Sequence, residues 1–278
     1  MIITPKVTAI VVTHNSAAVV PLAIALLGVQ TLKLASIQVV DSGSTDTSYV
    51  QMLQNRYPDT VRVHYHDNIG FAAANNRGLE AAPPDTTHFL FVNPDCFLTP
   101  EWLAEAMQDM DQKTVMSSPL YGFNIAADKP TGLYDSLGID RTWYGRWYDI
   151  AQGEACRVLP VTPVEVSALC GALMLVPATA VHILLRQPGG FFDERFGMYK
   201  EDIDASLRLR RAGYKLIINR RLVAYHCRGW NKNRQQVPRW ARRLSARNNI
   251  WLAMKHPWLL FYLPYYVVQY LWVRYGER

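Results

Sequence analysis

Cysteine is scarce: the 278 residues include four, Cys96, Cys156, Cys170 and Cys227, and no two form a CxxC pair or a zinc-like spacing. That excludes a disulfide-stapled secreted scaffold and a thiolate metal site, and it predicts reduced thiols in a cytosolic setting. Charge is also thin, at 19% of residues against 50% hydrophobic. No internal repeat or low-complexity stretch is present. The opening MIITPK has neither an apolar h-region nor a cleavage site, so the body of the chain is expected on the cytoplasmic side. Acids nearly vanish from the last quarter. Residues 205–278 hold sixteen Lys or Arg against Glu277 alone, a balance of +15, while residues 1–204 carry −9. An acidic body with a basic tail suits a phosphorylated ligand, anionic lipid or nucleic acid.

What is present is an alternation of elements. Residues 7–13 (VTAIVVT) form a β-branched run that predicts a buried parallel strand. A helix over 17–27, a strand over 37–40, a helix over 47–57, a strand over 61–64, a helix over 70–81 and a strand over 88–92 follow. A helix over 101–110 completes this half. Such alternation specifies a doubly wound α/β sheet, in which polar residues at the carboxyl ends of strands line the ligand crevice. Thr13 and Asn15, Asp41, and Asp95 each stand at such an end. Residues 117–164 break the pattern with Gly, Pro and aromatics. A strand over 166–176, a helix over 178–185 and a late strand over 215–219 resume it.

Several clusters carry chemistry. Asp41 with Gly43, Ser44 and Asp46 reads either as a capped turn or as a carboxylate that accepts a nucleobase N–H. Asn68, Gly70, Asn75, Asn76 and Gly78 open a helix among small residues, which suits either a diphosphate or close helix–sheet packing. In Asn93-Pro94-Asp95 the proline stiffens the turn and presents the Asp95 carboxylate, one oxygen donor for a substrate-bridged Mg2+ or Mn2+. His226 reads as structural or as a further ligand that would favour Mn2+. Residues 191–214 (FFDERFGMYKEDIDASLRLRRAGY) set Glu201, Asp202 and Asp204 at a helix start, Arg208, Arg210 and Arg211 at its end, and Gly213 as its stop.

In order, VVTHNS, VVDSGSTD, NIGFAAANNRG, FLFVNPD, CGALML, the 191–214 segment and His226 resemble family 2 glycosyltransferases, nearest the bacterial rhamnosyltransferase-like branch, across residues 7–226. The resemblance implies the GT-A fold, a Rossmann-like doubly wound mixed sheet, with residues 1–227 as the catalytic domain. Residues 1–116 would be its nucleotide-sugar half and 117–227 its acceptor half. It implies inverting transfer from a dTDP- or UDP-sugar, without a covalent enzyme intermediate. Carried over by position, Asp41 contacts the base beside Thr13 and Asn15, and Gly43, Asn68, Gly70, Asn75, Asn76 and Asn93 line the donor. Asp95 ends the metal motif and His226 is a further ligand for Mn2+ or Mg2+. Asp202 is the general base and Glu201 positions the acceptor. Read from their own chemistry, Trp143, Trp147, Gly171 and Lys200 are candidates for the acceptor side, Lys200 as a cation for an acceptor phosphate. The chain departs from the family at Asn93, where an acid is usual, at Lys200, and at Trp230-Asn231 after the histidine.

Trp143 to Tyr148 (WYGRWY) reads as an acceptor groove, since sugar C–H faces stack on aromatic rings, or as a core plug. Residues 257–273 (PWLLFYLPYYVVQYLWV) lack charge, and 228–255 bring eight cations and no acid. Seventeen helical residues rise about 25 Å, short of a hydrocarbon core of about 30 Å. The basic, aromatic helical tail over 228–278 therefore predicts an interfacial anchor on an anionic membrane, with packing or homodimerisation as the alternative. Peripheral attachment to the cytoplasmic face of the inner membrane would fit a polyprenyl-diphosphate-linked saccharide acceptor in surface polysaccharide synthesis. The tail's aromatics point away from nucleic acid. A sugar nucleotidyltransferase shares the sheet, but no Gly-rich loop follows the first strand. A catalytically impaired relative acting as a scaffold is kept in view by Asn93.

Overall fold

β-branched residues buried on every side make β1 (Val7–Thr13) the centre of the fold. The structure, a computed structural model, describes residues 5–227 and 237–276. Trp230-Asn231 and the cations Arg228, Lys232 and Arg234 lie outside the described residues. After β1 come α1 (Val20–Gly28), β2 (Ser36–Ser42), α2 (Ser48–Arg56), β3 (Val61–His66), α3 (Phe71–Glu80), β4 (His88–Val92), β5 (Cys96–Leu98) and α4 (Trp102–Asp109). The second half runs through β6 (Thr114–Ser117), β7 (Leu120–Asn124), β8 (Lys129–Ser136), β9 (Ile139–Arg141), β10 (Trp147–Asp149), β11 (Val164–Glu165), β12 (Leu173–Pro177) and α5 (Ala178–Leu185). It ends with α6 (Glu201–Arg211), β13 (Lys215–Ile218), β14 (Ala224–His226), α7 (Arg239–Lys255) and α8 (Leu263–Leu271).

The main sheet has eight strands in the order β11-β13-β6-β12-β4-β1-β2-β3. β1 is parallel to both β2 and β4, and β12 runs antiparallel to β4, so the sheet is mixed. The order reverses between β1 and β4, and the crevice of a doubly wound sheet opens at that point. A second sheet, β5-β14-β7-β8, brings β14 against β5. Apolar clusters fill both faces of the main sheet, one under α1, α2 and α4, the other under α5 and α6.

The long strand expected over 166–176 divides because its backbone bonds go to different partners. Val166 donates to Leu216, Ala168 exchanges bonds with Ile139, and only Leu173–Pro177 joins β4. His226 lies beyond the late strand, in a short strand of its own, β14. The helix start at Glu201 and the stop at Gly213 are as the sequence predicts. Gly213 has φ +84°, its N–H donates to Arg210, and Tyr214 N–H donates to Leu209, the paired bonds of a Schellman cap.

The tail is joined to the body. Leu252, Ala253, Leu259 and Tyr266 are buried in one cluster with Ile139, Trp147, Phe196 and Ile203. Tyr266 O–H donates to the Gly145 carbonyl at 2.7 Å. The Arg141 guanidinium sits over the rings of Tyr262, Trp258 and Trp147, 4.4, 4.9 and 5.7 Å from their centroids. Among the described residues no helix is long and apolar enough to cross a membrane. The opposite face of the tail is apolar and exposed, with Phe261 at 84% and Val268, Trp272 and Tyr275 beside it in kind.

Candidate active site

The β5–β14 pairing builds the first cluster. His226 lies opposite Cys96, which sets its imidazole beside Asp95. Nε2 is 3.2 Å from Asp95 Oδ1 and 3.4 Å from Asn93 Nδ2, while Nδ1 is 2.8 Å from Asp135 Oδ2. Burial pulls the imidazole pKa down, but Asp95 and Asp135 outweigh it and lift it to about 9. Asn93 Oδ1 is buried without a hydrogen-bond partner. An acceptor left over beside a carboxylate and an imidazole fits a divalent cation held by O and N donors. No cluster of three His, Cys, Asp or Glu side chains stands ready among the described residues. The remaining positions would fall to ligand oxygens and water. Asp135 was not legible in the sequence, lying 91 residues from its partner with no motif between them.

The second cluster stands at the start of α6. Asp202 is partly exposed, and its oxygens accept the Gly171 N–H at 3.1 Å and the Ile203 N–H at 2.8 Å. Burial lifts its pKa above the ordinary aspartate range, against the Gly171 amide, the Lys200 charge and the Ile203 amide, which favour the ionised form. Glu201 is buried, with Oε2 lacking a hydrogen-bond partner. Burial, and then the Asp202 charge, raise it well above the usual carboxylate range. The neighbouring acids are thus unequal: burial raises both, Glu201 well above its ordinary range and Asp202 less far, since two amide bonds and the Lys200 charge oppose it. Asp204 is different again. It is fully buried and bonded to Arg208, Lys255 and His256, so it belongs to the joint with the tail.

One turn of chain connects the clusters. Gly171 N–H holds Asp202, and the next residue, Ala172, accepts the Asn93 N–H at 2.9 Å. A side chain at Gly171 would meet Asp202 Cβ at 3.1 Å, so the close approach there suits glycine.

On the β1–β2 side, Thr13 and Asp41 are register partners and both are buried. Asp41 accepts the Ser44 N–H at 3.1 Å and the Ser44 O–H at 2.5 Å, and Asn15 Oδ1 accepts from Thr45 N–H and O–H at 2.9 and 3.0 Å. Tyr49, unnoticed in the sequence, joins Thr13 and Ser44 through its hydroxyl at 2.9 and 3.0 Å. The turn reading of Asp41 therefore holds, with one edge of the loop still at the surface. Gly43, at φ +77°, packs so closely that a Cβ would lie 2.6 Å from the Asn68 nitrogen.

Other candidates are engaged elsewhere. Asn76 bonds Phe192 N–H and C=O and Glu194 Oε1, which ties α3 to the segment before α6 and leaves its amide no free donor for a ligand. Asn75 Nδ2 turns back onto the Phe71 carbonyl. Gly70, with φ +82°, starts α3, whose Ala72 N–H donates to Gly197 O at 2.9 Å. Trp147 is a core residue packed against the tail, so the plug reading replaces the acceptor reading there. Trp143, at the tip of the β9–β10 hairpin, is 87% exposed. Lys200 stands directly before α6 with φ +74°.

A mixed sheet with its polar residues at this crevice is the fold of GT-A glycosyltransferases, and solved structures share it. The chain is similar to GalNAc-T7, crystallised with UDP, GalNAc and Mn2+ (TM-score 0.65, 15% identity, 91% of this chain and 51% of that one). It is also similar to the mannosyltransferase PcManGT of Pyrobaculum calidifontis, in complex with GDP-Man and Mn2+ (0.61, 18%, 95% and 74%). S. aureus TarS 1-349 in complex with UDP-GlcNAc is a further likeness (0.54, 14%, 96% and 72%). The chain spans about half the length of GalNAc-T7 and 39% of the longer TarS chain. No curated protein sequence matches it. The profile of glycosyl transferase family 2 matches residues 8–159, more than half of the chain, and the protein belongs to that family.

Proposed function

We propose that the protein is an inverting glycosyltransferase that moves a sugar from a nucleotide-diphosphate donor to a saccharide hydroxyl. The observation that carries this reading is the turn at Gly171 and Ala172, which bonds the Asp202 carboxylate on one side and the Asn93-Pro94-Asp95 loop on the other. A base and an electrostatic site for a leaving diphosphate are what a single displacement needs on opposite sides of one sugar. The loop at Asp41 and Gly43 and the start of α3 at Asn68 and Gly70 take the nucleotide and its phosphates. Asp202 removes the acceptor proton. Glu201, buried beside it, is raised further than Asp202, and Asp204 is tied up with Arg208, Lys255 and His256, which leaves Asp202 as the acid of the α6 start that meets the acceptor. Trp143 and Lys200 lie toward the acceptor. The product's anomeric configuration, read by NMR, tests this: inversion is expected, and retention would overturn a single displacement.

Asp95, His226 and Asn93 would hold a divalent cation, and such an ion, when bound, offsets charge on the leaving diphosphate. Asp135 keeps the His226 ring oriented through Nδ1. Asp135→Asn is expected to weaken Mn2+ binding by about 10–100-fold, measured by calorimetry with the fold intact. An unchanged affinity would remove His226 from the metal site. The donor is read as a UDP- or dTDP-sugar, rhamnose among the candidates. Uridine nucleotides in two of the likenesses lean toward UDP.

The acceptor is read as lipid-linked, in surface polysaccharide synthesis at the inner membrane's cytoplasmic face. Support comes from the exposed apolar face of the tail with Arg239, Arg243 and Arg274 near it. Replacing Phe261 and Trp272 together by Ser is expected to lower partition onto anionic liposomes by roughly tenfold or more, at about 1 kcal/mol or more per aromatic. Transfer to a soluble acceptor should be unchanged. Equal liposome binding by the variant would end the anchor reading.

A further inference from the structure

The inner face of α7 sets one side chain against the turn that leads into Glu201 and Asp202. Asn248 is fully buried, and its amide nitrogen lies 2.8, 2.9 and 2.8 Å from the carbonyl oxygens of Phe196, Met198 and Tyr199. An amide has two N–H groups, so three carbonyls must share them, one through a three-centre bond. The orientation of the amide follows from its other side, where Oδ1 accepts from Arg247 Nε and Nη2 at 3.1 and 3.0 Å.

The backbone held in this way is strained. Tyr199 and Lys200 have φ of +70° and +74°, two successive residues with side chains in the left-handed region. Such backbone persists only where its surroundings hold it. From the other side the same turn is gripped by α3, through Gly197 O and the Ala72 N–H. Lys200 is the cap residue of α6, so the direction in which Asp202 leaves the backbone is set by this turn.

We propose that Asn248 is a positioning residue for the transfer reaction: by gathering the three carbonyls it holds the 196–200 turn in the shape that aims Asp202 at the acceptor hydroxyl. The proposal rests on the reading of Asp202 as the base. It makes the tail helix part of the catalytic apparatus without contact to either substrate.

Full-length Asn248→Ala and Asn248→Ser variants test it, beside Asp202→Asn. Backbone amide exchange over residues 197–203 should rise by about tenfold or more in both Asn248 variants, with the main sheet unchanged. Transfer kcat should fall about 10²-fold, the scale expected for an ångström of misplacement, while UDP binding in the presence of Mn2+ stays within about threefold. Normal kcat with fast local exchange would overturn the positioning role, and so would global unfolding of both variants, which would make Asn248 a core residue only. Full turnover by Asp202→Asn would instead refute the base assignment, and the exchange result would still report on the clamp.

Discussion

Asp202→Asn is expected to lower sugar transfer by about 10³-fold, within the range of general acid–base catalysis, while donor binding persists. The substitution keeps the shape and one of the two backbone hydrogen bonds, since the Gly171 and Ile203 N–H groups donate to different Asp202 oxygens and an amide has a single acceptor oxygen. What it removes is the capacity to take a proton. As the proposed base, the same carboxylate is expected to set the acid limb of the wild-type profile. Its pKa is raised, so protonation disables it at a pH above the ordinary aspartate value of about 4. Transfer should therefore fall as pH drops through that higher value, about tenfold per unit. An Asp202→Asn variant with wild-type kcat would assign the base elsewhere.

Deleting residues 237–278 is expected to give unfolded or insoluble protein. Leu252, Ala253, Leu259 and Tyr266 leave a cluster that also contains Trp147, Phe196 and Ile203. Burial of large apolar side chains is worth about 1.5–3 kcal/mol each. The deletion also strips Lys255 and His256 from Asp204, leaving a fully buried carboxylate with Arg208 alone, and strips Lys255 from Asp193. Unpairing a buried charge costs about 3–5 kcal/mol, and the sum rivals a net stability of about 5–15 kcal/mol. Burial alone would raise Asp204, but His256, Arg208 and Lys255 outweigh it and hold it below the ordinary range. A depressed carboxylate stabilises above its unfolded pKa of about 4 and loses that contribution as pH falls further. A cooperative thermal transition in the truncated chain at neutral pH would contradict this joint.

The joint also shows what the sequence could carry. The strands 7–13 and 88–92 and the helix 178–185 coincide with β1, β4 and α5, because short buried apolar runs and a proline-initiated helix are local signals. The family motifs single out Asp95, His226 and Asp202 as candidates, and the sheets bring Asp95 and His226 together. Asp135, Tyr49 and Asn248 were not. Each acts through a bond to a residue far along the chain, and no spacing records such a partner. Trp147 and Asn76 stay open between ligand-facing and packing readings in the sequence because residue type alone does not tell which way a side chain turns. The tail stays open between anchor and packing in the sequence for a related reason: its aromatics divide between an inner face that packs and an outer face that is exposed, and composition averages the two.

The most direct measurement incubates the full-length protein with UDP- and dTDP-sugars, with and without Mn2+, and follows nucleoside diphosphate release. The account predicts Mn2+-dependent release from at least one nucleotide sugar, lost in Asp95→Ala and His226→Ala variants that remain folded. No release from any donor, or pyrophosphate release from a nucleoside triphosphate instead, would contradict it.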